Sequence, residues 1–511
     1  MKKTYILASI TALLIGVSGC TKDFLEVEPT QFLTEEQIAE AAQNNPDVIA
    51  GSVKGIYTLM FQTGTGGTDL DHDDFGQKGY DIYSDFLSSD LVLSVSTYGW
   101  YRRLTEYTVT TDYTNTGNYK PWRYYYRIIR SANKVINALG GNDVVPELQE
   151  NQYLMGQAKA LRGYAYFYLT QFFAKSYDPA EEILPIYTDP LQPNQPKSTA
   201  AEVYAQIIKD LTEAVSLLET YQRTAKNEIN KYVAKGLLAY TYAAMGDNAS
   251  LLQAKELTND IITTGGFTLM SEDEVYYNTT LQDPNDPTKI IPDPVGGFND
   301  INTRGWMWGV DITLDNGLDL VSWWGQMDAY TYSYQWAGDR KAIDKGLFDL
   351  IPVNDARKKQ FHNVSTSSYY LVPLYKFYAP NRIIGSQRNI ETDYVYMRVA
   401  EMYLLNAEVA SKSGDDITAR QRLKDLVSLR VPDASYIDGL SGQALQNEIY
   451  LQTRIELFAE GKSYLAMKRN KATIVRGSNH LSFVGVGIPY NDPRLTFSIP
   501  QSEIQNNPYI D

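Results

Sequence analysis

Asn151 to Ala174, NQYLMGQAKALRGYAYFYLTQFFA, limits the fold of this chain more than any other stretch. Leu154, Ala158, Leu161, Ala165, Tyr168 and Phe172 recur at steps of three and four, the period of a helix with a buried stripe. Gly156, Ala160 and Gly163 form a second line of small residues at the same steps, and small residues let another helix approach closely. A helix with a bulky and a small stripe packs on two sides. The spacing therefore predicts a stacked helical array, with a core helix of some other α fold as the bland alternative.

The rest of the chain supplies partners. A capping-box pattern at Thr34 and Gln37 predicts a helix from about Glu35, and a second runs past Pro46 through Val53 and Tyr57. Lys120 to Leu139 puts Trp122, Tyr126, Ile129, Asn133 and Ile136 on one face and ends at Gly140-Gly141, so it forms an antiparallel hairpin with the helix that follows. Ser198-Thr199 caps a helix to Glu219, Asn230 caps KYVAKGLLAYTYAAMG, which Gly246 closes, and Leu251 to Thr264 is the next. Near the end, Tyr396, Val399, Tyr403, Ala407 and Ala410 share a face, Asp416 to Leu429 pairs with them, and Leu445 to Arg469 reads as one long helix before an extended tail. AKGLLAYTYAAMGD looks like a degenerate tetratricopeptide repeat, but insertions separate the pairs, so no regular solenoid is expected. The predicted fold class is mostly α, with tetratricopeptide-like helix pairs and irregular aromatic-rich loop inserts.

Three inserts interrupt this pattern. Ser94 to Asn118 reads as a long loop or short hairpin carrying Tyr98, Trp100, Tyr101, Tyr107 and Tyr113, and Ser176 to Lys197 is a proline-punctuated surface loop. Met270 to Asn389 holds Trp306, Trp308, Trp323, Trp324 and Trp336, five of the 7 tryptophans, with a weakly alternating Tyr369 to Phe377 as a short strand. Asp69, Asp71, Asp73 and Asp74 cluster near Gly76. Carboxylates at alternate positions can ligate calcium, yet the EF-hand order is met neither from Asp69 nor from Asp71, and a solvated acidic loop is the other reading.

The formal charge of −15 argues against nucleic acid and against a basic membrane-binding face. Length suggests one large unit or two to three subdomains. The 40 tyrosines against 16 phenylalanines suit wet packing between helices and ligand platforms. Lys2 and Lys3 precede a short apolar run, Tyr5 to Val17, and Val17-Ser18-Gly19-Cys20 resembles a bacterial lipobox. Residues 1–19 then read as a lipoprotein signal peptide and Cys20, the sole cysteine, as the lipidated residue. Lipidation leaves no thiol for disulfides or cysteine-based zinc sites.

Chemistry-bearing patterns are sparse. His72, His362 and His480 are far apart, and there is no HExxH, no G-x-S-x-G elbow and no phosphate-binding glycine loop. A glycoside hydrolase would need two carboxylates about 5–10 Å apart, and spacing singles out no pair. No catalytic residue, metal ligand or cofactor is assigned, calcium at the acidic loop aside. A flat indole can cover the apolar C–H face of a pyranose, so composition offers Trp308, Trp323, Trp324 and Tyr330 as ligand contacts. The structural alternative is that these indoles pin the insert to the helical body.

DFLEVEPT after Cys20, DDFGQKGYDIYSD, YYRIIRSANKVI followed by AKALRGYAYFYLTQFF, YAQIIKDLTEAV, NKYVAKGLLAYTYAAMGD, RVAEMYLLNAE, EIYLQTRIELFAEGKSYLAMKR and IPQSEIQNNP occur in this order. Together they resemble the SusD/RagB family of outer-membrane nutrient-binding lipoproteins across nearly the whole mature chain. The resemblance implies a helical region over 20–235 and a C-terminal region over 236–511, with a variable insert at about 270–390. It also implies a cell-surface lipoprotein of the outer membrane that captures oligosaccharide, or in some members peptide, and hands it to a TonB-dependent, SusC-like transporter barrel. Lys22-Asp23 looks like the charged surface-export signal of such lipoproteins. Similar members place a ligand-contacting aromatic in the loop that here carries Tyr98 and Trp100. The family binds and does not catalyse.

Overall fold

The computed structural model describes Gln37, Ala41 and residues 45–69, 71–380, 383–385 and 388–510. Cys20 and the expected helix start near Glu35 lie outside them. Helix α1, Pro46–Leu59, starts where the Asn45 side chain accepts the Asp47 N–H and proline occupies the first turn. Helix α2, Gln77–Leu87, is buried along its whole length and leads into strand β1, Leu91–Leu93. The stretch after β1 is more ordered than expected. Two short helices, α3 (Arg102–Thr105) and α4 (Thr108–Thr111), are entered through Tyr101 and Tyr107 in left-handed backbone conformations.

Helices α5 (Thr116–Ala138) and α6 (Gln149–Phe173) form the predicted hairpin, and α7 (Ala200–Leu217) packs on the other side of α6. The small line of α6 faces α7: a Cβ on Gly156 would lie 2.9 Å from Leu218 Cγ, and one on Gly163 would lie 2.9 Å from Leu211 Cγ. Arg162 ties all three helices, forking onto Asp210 at 2.9 and 2.6 Å and donating to Asn133 Oδ1 at 2.9 Å. Thr199 and Glu202 make a capping box on α7. Asn230 caps α8 (Lys231–Met245), which Gly246 ends with φ +76, and α9 (Asn248–Thr264) follows.

The insert is fastened by two antiparallel ribbons. Strand β2 (Trp306–Val310) pairs with β4 (Tyr394–Arg398), and β1 pairs with β3 (Lys341–Ile343). Between them lie α10 (Trp323–Met327), α11 (Tyr334–Ala337) and α12 (Lys345–Leu350). Tyr369 to Phe377 is a run of turns rather than a strand. The array resumes with α13 (Val399–Lys412), which packs on α9, α14 (Asp416–Val427) and α15 (Gly442–Glu456).

Two helical expectations are corrected. Tyr396 belongs to β4, whose five residues are all buried, so the helix starts only at Val399. Leu445 to Arg469 is two helices: α15 stops at Glu456 and α16 covers Ser463–Arg469. Between them Ala459 and Gly461 take φ +58 and +76, and the Gly461 N–H donates to Asp85 at 2.8 Å. The break turns two carboxylates into a buried cluster. Glu456 takes Arg430 at 2.9 Å, Arg398 at 2.7 Å and Arg357 at 3.2 Å, while Glu460 takes Arg398 at 2.7 Å and Lys376 at 2.8 Å. The tail closes with α17, Gln501–Asn506. One apolar core runs from Ile49 to Phe497, and the expected 235/236 division falls inside α8. No described helix is long and apolar enough to cross a membrane.

Candidate functional site

Strand β1 delivers the chain to a loop held from below by one carboxylate. Asp339 is fully buried. Its Oδ1 accepts the N–H groups of Thr97 (2.6 Å), Tyr98 (2.8 Å) and Gly99 (3.3 Å), and its Oδ2 accepts that of Trp100 (3.0 Å). Buried charge is stable only when its acceptor positions are filled, and these amides fill them. Gly338, at φ +127, lets the Thr97 side chain come close enough to leave no room for a Cβ.

With its backbone turned inward, the loop points aromatic side chains outward. Tyr98 is 62 % exposed and Trp100 is half-buried. His72 stacks on Trp100 with centroids 5.1 Å apart and planes 3° apart. Tyr334 closes the group, its hydroxyl 2.6 Å from His72 Nδ1 and its ring 5.5 Å from Tyr98 and 5.9 Å from Trp100. Beside it, Tyr332 and Trp336 tilt together at 5.5 Å, and the Arg388 guanidinium lies 4.0 Å over Tyr332.

A polar layer supports this surface. Gln326 donates to the His72 carbonyl at 2.7 Å, and buried Lys341 donates to Gln326 Oε1 at 2.8 Å. Burial lowers the Lys341 ammonium to about 7 and lowers the His72 imidazole below its ordinary value. Burial also raises the Tyr334 hydroxyl. The outward surface is thus made of exposed Tyr98 with half-buried Trp100 and His72 over a buried Tyr334, flat rings with polar edges suited to the faces of a sugar or a planar group. Asp339, the carboxylate under the loop, is held by backbone amides.

Residues 77–243 match a family model described as "Starch-binding associating with outer membrane", and residues 353–511 match one described as "SusD family". A SusD-like carbohydrate binding protein from Bacteroides vulgatus has the same fold at TM-score 0.69 and 26% identity, over 90% of this chain and 96% of that one. This chain belongs to the SusD/RagB family. A SusD superfamily protein from Bacteroides thetaiotaomicron superposes at TM-score 0.71, with 23% identity over 91% and 98% of the two chains. SusD-like protein P25 of Formosa agariphila is 21% identical over 227 residues; the match spans 43% of this chain and 40% of that relative.

On this SusD-type scaffold the expected site residues separate into two groups. Tyr98 and Trp100 come together on the outward surface. Trp308, Trp323 and Trp324 do not, and their reading as ligand contacts is corrected to core packing. Each is at most 2% exposed. Trp308 packs between Tyr164 at 5.6 Å and Tyr396 at 5.1 Å, and Trp323 lies 4.6 Å from Phe377. Trp324 donates its indole N–H to the Thr392 carbonyl at 2.7 Å. Tyr330 is buried in a small satellite core with Val372 and Tyr378.

His72, Tyr332, Tyr334, Trp336 and Asp339 are not among the ligand contacts expected from sequence. The alternation of aromatics at 332, 334 and 336 was a usable signal; His72 and Asp339 carried none, because their partners are remote in sequence. In the acidic loop, Asp71 and Asp73 each bind Lys120 at 2.6 Å. Asp74 accepts the Gly66 and Thr68 N–H groups at 2.8 and 3.2 Å. Among the described residues, no group of three or more His, Cys, Asp or Glu is placed to hold a metal ion.

Proposed function

We propose that this protein is a carbohydrate-binding lipoprotein of the outer-membrane surface. It captures oligosaccharide on the Tyr98–Trp100–Tyr334 surface and passes it to a TonB-dependent transporter barrel. The observation that carries this reading is the buried Asp339 carboxylate, which presents Tyr98 and Trp100 as a preorganised aromatic face. Preorganisation reduces the ordering entropy a ligand must overcome. A structurally similar Bacteroides vulgatus protein described as carbohydrate binding supports the ligand class. The anchor would be Cys20, and family membership supports the transporter partner. The site binds rather than catalyses in this reading: the carboxylate beneath the rings, Asp339, is buried and taken up by four backbone amides.

A glycan array with the full chain in detergent, read by tryptophan fluorescence, tests the proposal. Saturable binding of one glycan class that Trp100→Ala abolishes is the expected result. Binding to peptides and to no glycan would replace the ligand class, and glycan turnover by the pure protein would overturn the non-catalytic reading.

A further inference from the structure

A second concave site lies on the outer face of α5. It is a cleft of about 800 Å³ between α5, the Tyr187–Gln192 loop and α17, within the range of about 300–1,000 Å³ usual for ligand clefts. Its residues are separate from those of the aromatic surface.

Each wall is fixed. Tyr126 donates to the Pro185 carbonyl at 2.9 Å, and Asn133 donates to the Tyr187 carbonyl at 2.9 Å, which pins the loop to α5. The Trp122 indole N–H donates to Glu503 at 3.2 Å, and Asn194 donates to the Asn506 carbonyl at 2.7 Å, which pins α17.

Arg123, Arg127 and Arg130 line this cleft at steps of four and three along α5, and all three are exposed. Arg123 donates to the Tyr119 hydroxyl at 3.0 Å. Among the described residues, the side chains of Arg127 and Arg130 make no ion pair, hydrogen bond or cation–π contact. Like charges on successive turns repel, and the two lining acids are otherwise engaged: Glu503 with Trp122 and Asn507, Asp189 with the Leu191 N–H. Two free guanidiniums over a rigid cleft in a chain of net charge −15 form a local exception to the acidic surface. A guanidinium matches the two oxygens of a carboxylate or sulfate in a way an ammonium does not. Tyr126 and Tyr187, 5.9 Å apart, add ring surface beside the charges.

We propose that this cleft is a second ligand site, for an acidic sugar chain whose carboxylate or sulfate groups are taken by Arg127 and Arg130. The inference rests on the glycan-capture reading only for the occupant being a sugar; the anion preference rests on the arginines.

The full chain in detergent is titrated with oligogalacturonide for carboxylate, a sulfated galactan oligosaccharide for sulfate and a neutral galactan oligosaccharide as control. At least one acidic chain should bind, more weakly as salt rises. The double variant Arg127→Gln/Arg130→Gln should lose about tenfold or more in affinity for that chain, about 1.4 kcal/mol, with Arg127→Lys/Arg130→Lys intermediate. Unchanged affinity in the glutamine variant, equal binding of the neutral chain, or no acidic binding by folded protein would each overturn the cleft. Neutral glycan binding lost with Trp100→Ala, alongside no acidic binding, overturns the cleft alone. If no glycan of any kind binds, both readings fall.

Discussion

The Asp339 carboxylate accepts the backbone N–H of Trp100 at 3.0 Å across 239 positions of sequence. The same carboxylate takes three preceding amides, so the aromatic loop and the insert form one unit. Asp339→Ala should release the loop while leaving every ring chemically intact. Unpaired donors cost about 1–3 kcal/mol when they stay buried. The expected result is a stability loss of that order, with weakened oligosaccharide binding, while Asp339→Asn keeps part of both. Denaturant midpoints and binding titrations check this; wild-type affinity in the alanine variant would detach the loop from the site.

Trp100→Ala and Trp323→Ala should behave as opposites. Removing half-buried Trp100 should leave stability nearly unchanged and cost about 2 kcal/mol or more in binding, as a central contact does. Removing Trp323, which packs on Phe377 at 4.6 Å, should cost about 3–5 kcal/mol of stability. Thermal unfolding and glycan titration of both variants decide it, and the reverse pattern would move the site into the insert.

Glu456→Gln should be among the most damaging polar changes. It removes the charge facing Arg357, Arg398 and Arg430. Taking one member from a buried ion cluster costs about 3–5 kcal/mol. A denaturant midpoint close to wild type would show that the cluster is not held together by Glu456.

Acid should destabilise the protein through Glu408. Burial alone would raise its carboxyl, but Arg469 and Lys412 outweigh burial and hold it at about 2. The unfolded value is about 4.3, so the folded pKa is depressed. Its stabilisation is present in full above the unfolded value and is lost as the pH falls from about 5 toward 2. Glu408→Gln should flatten that part of the stability–pH curve, and a curve parallel to wild type would refute the assignment.

Gly163→Val should test the helix contact that organises the array. The added Cβ meets Leu211 Cγ at 2.9 Å, and overpacking costs about 1–3 kcal/mol. An unchanged melting temperature would mean that α7 can move aside freely.

Local signals were enough for the helical body. The period of α6, its line of small residues, the caps at Thr199 and Asn230 and the glycine stop at Gly246 are properties of neighbouring residues, and they reappear where expected. Elsewhere local and remote demands compete. Tyr396 continues the helical period of Val399 and Tyr403, yet it lies in Tyr394 to Arg398, which pairs with Trp306 to Val310 as a strand. Leu445 to Arg469 keeps an apolar period, yet it breaks so that Glu456 and Glu460 meet four cations from distant segments.

The aromatic residues divide along the same line. Sequence showed where tryptophans concentrate, and it placed Tyr98 and Trp100 in a loop. It could not tell a buried indole from an exposed one, because exposure depends on what the rest of the chain lays over each ring. The sequence by itself determined the helical array, because helix period and capping act over a few residues. Only the tertiary structure decided which aromatics face outward, because Asp339, His72 and Tyr334 reach Trp100 from remote parts of the chain.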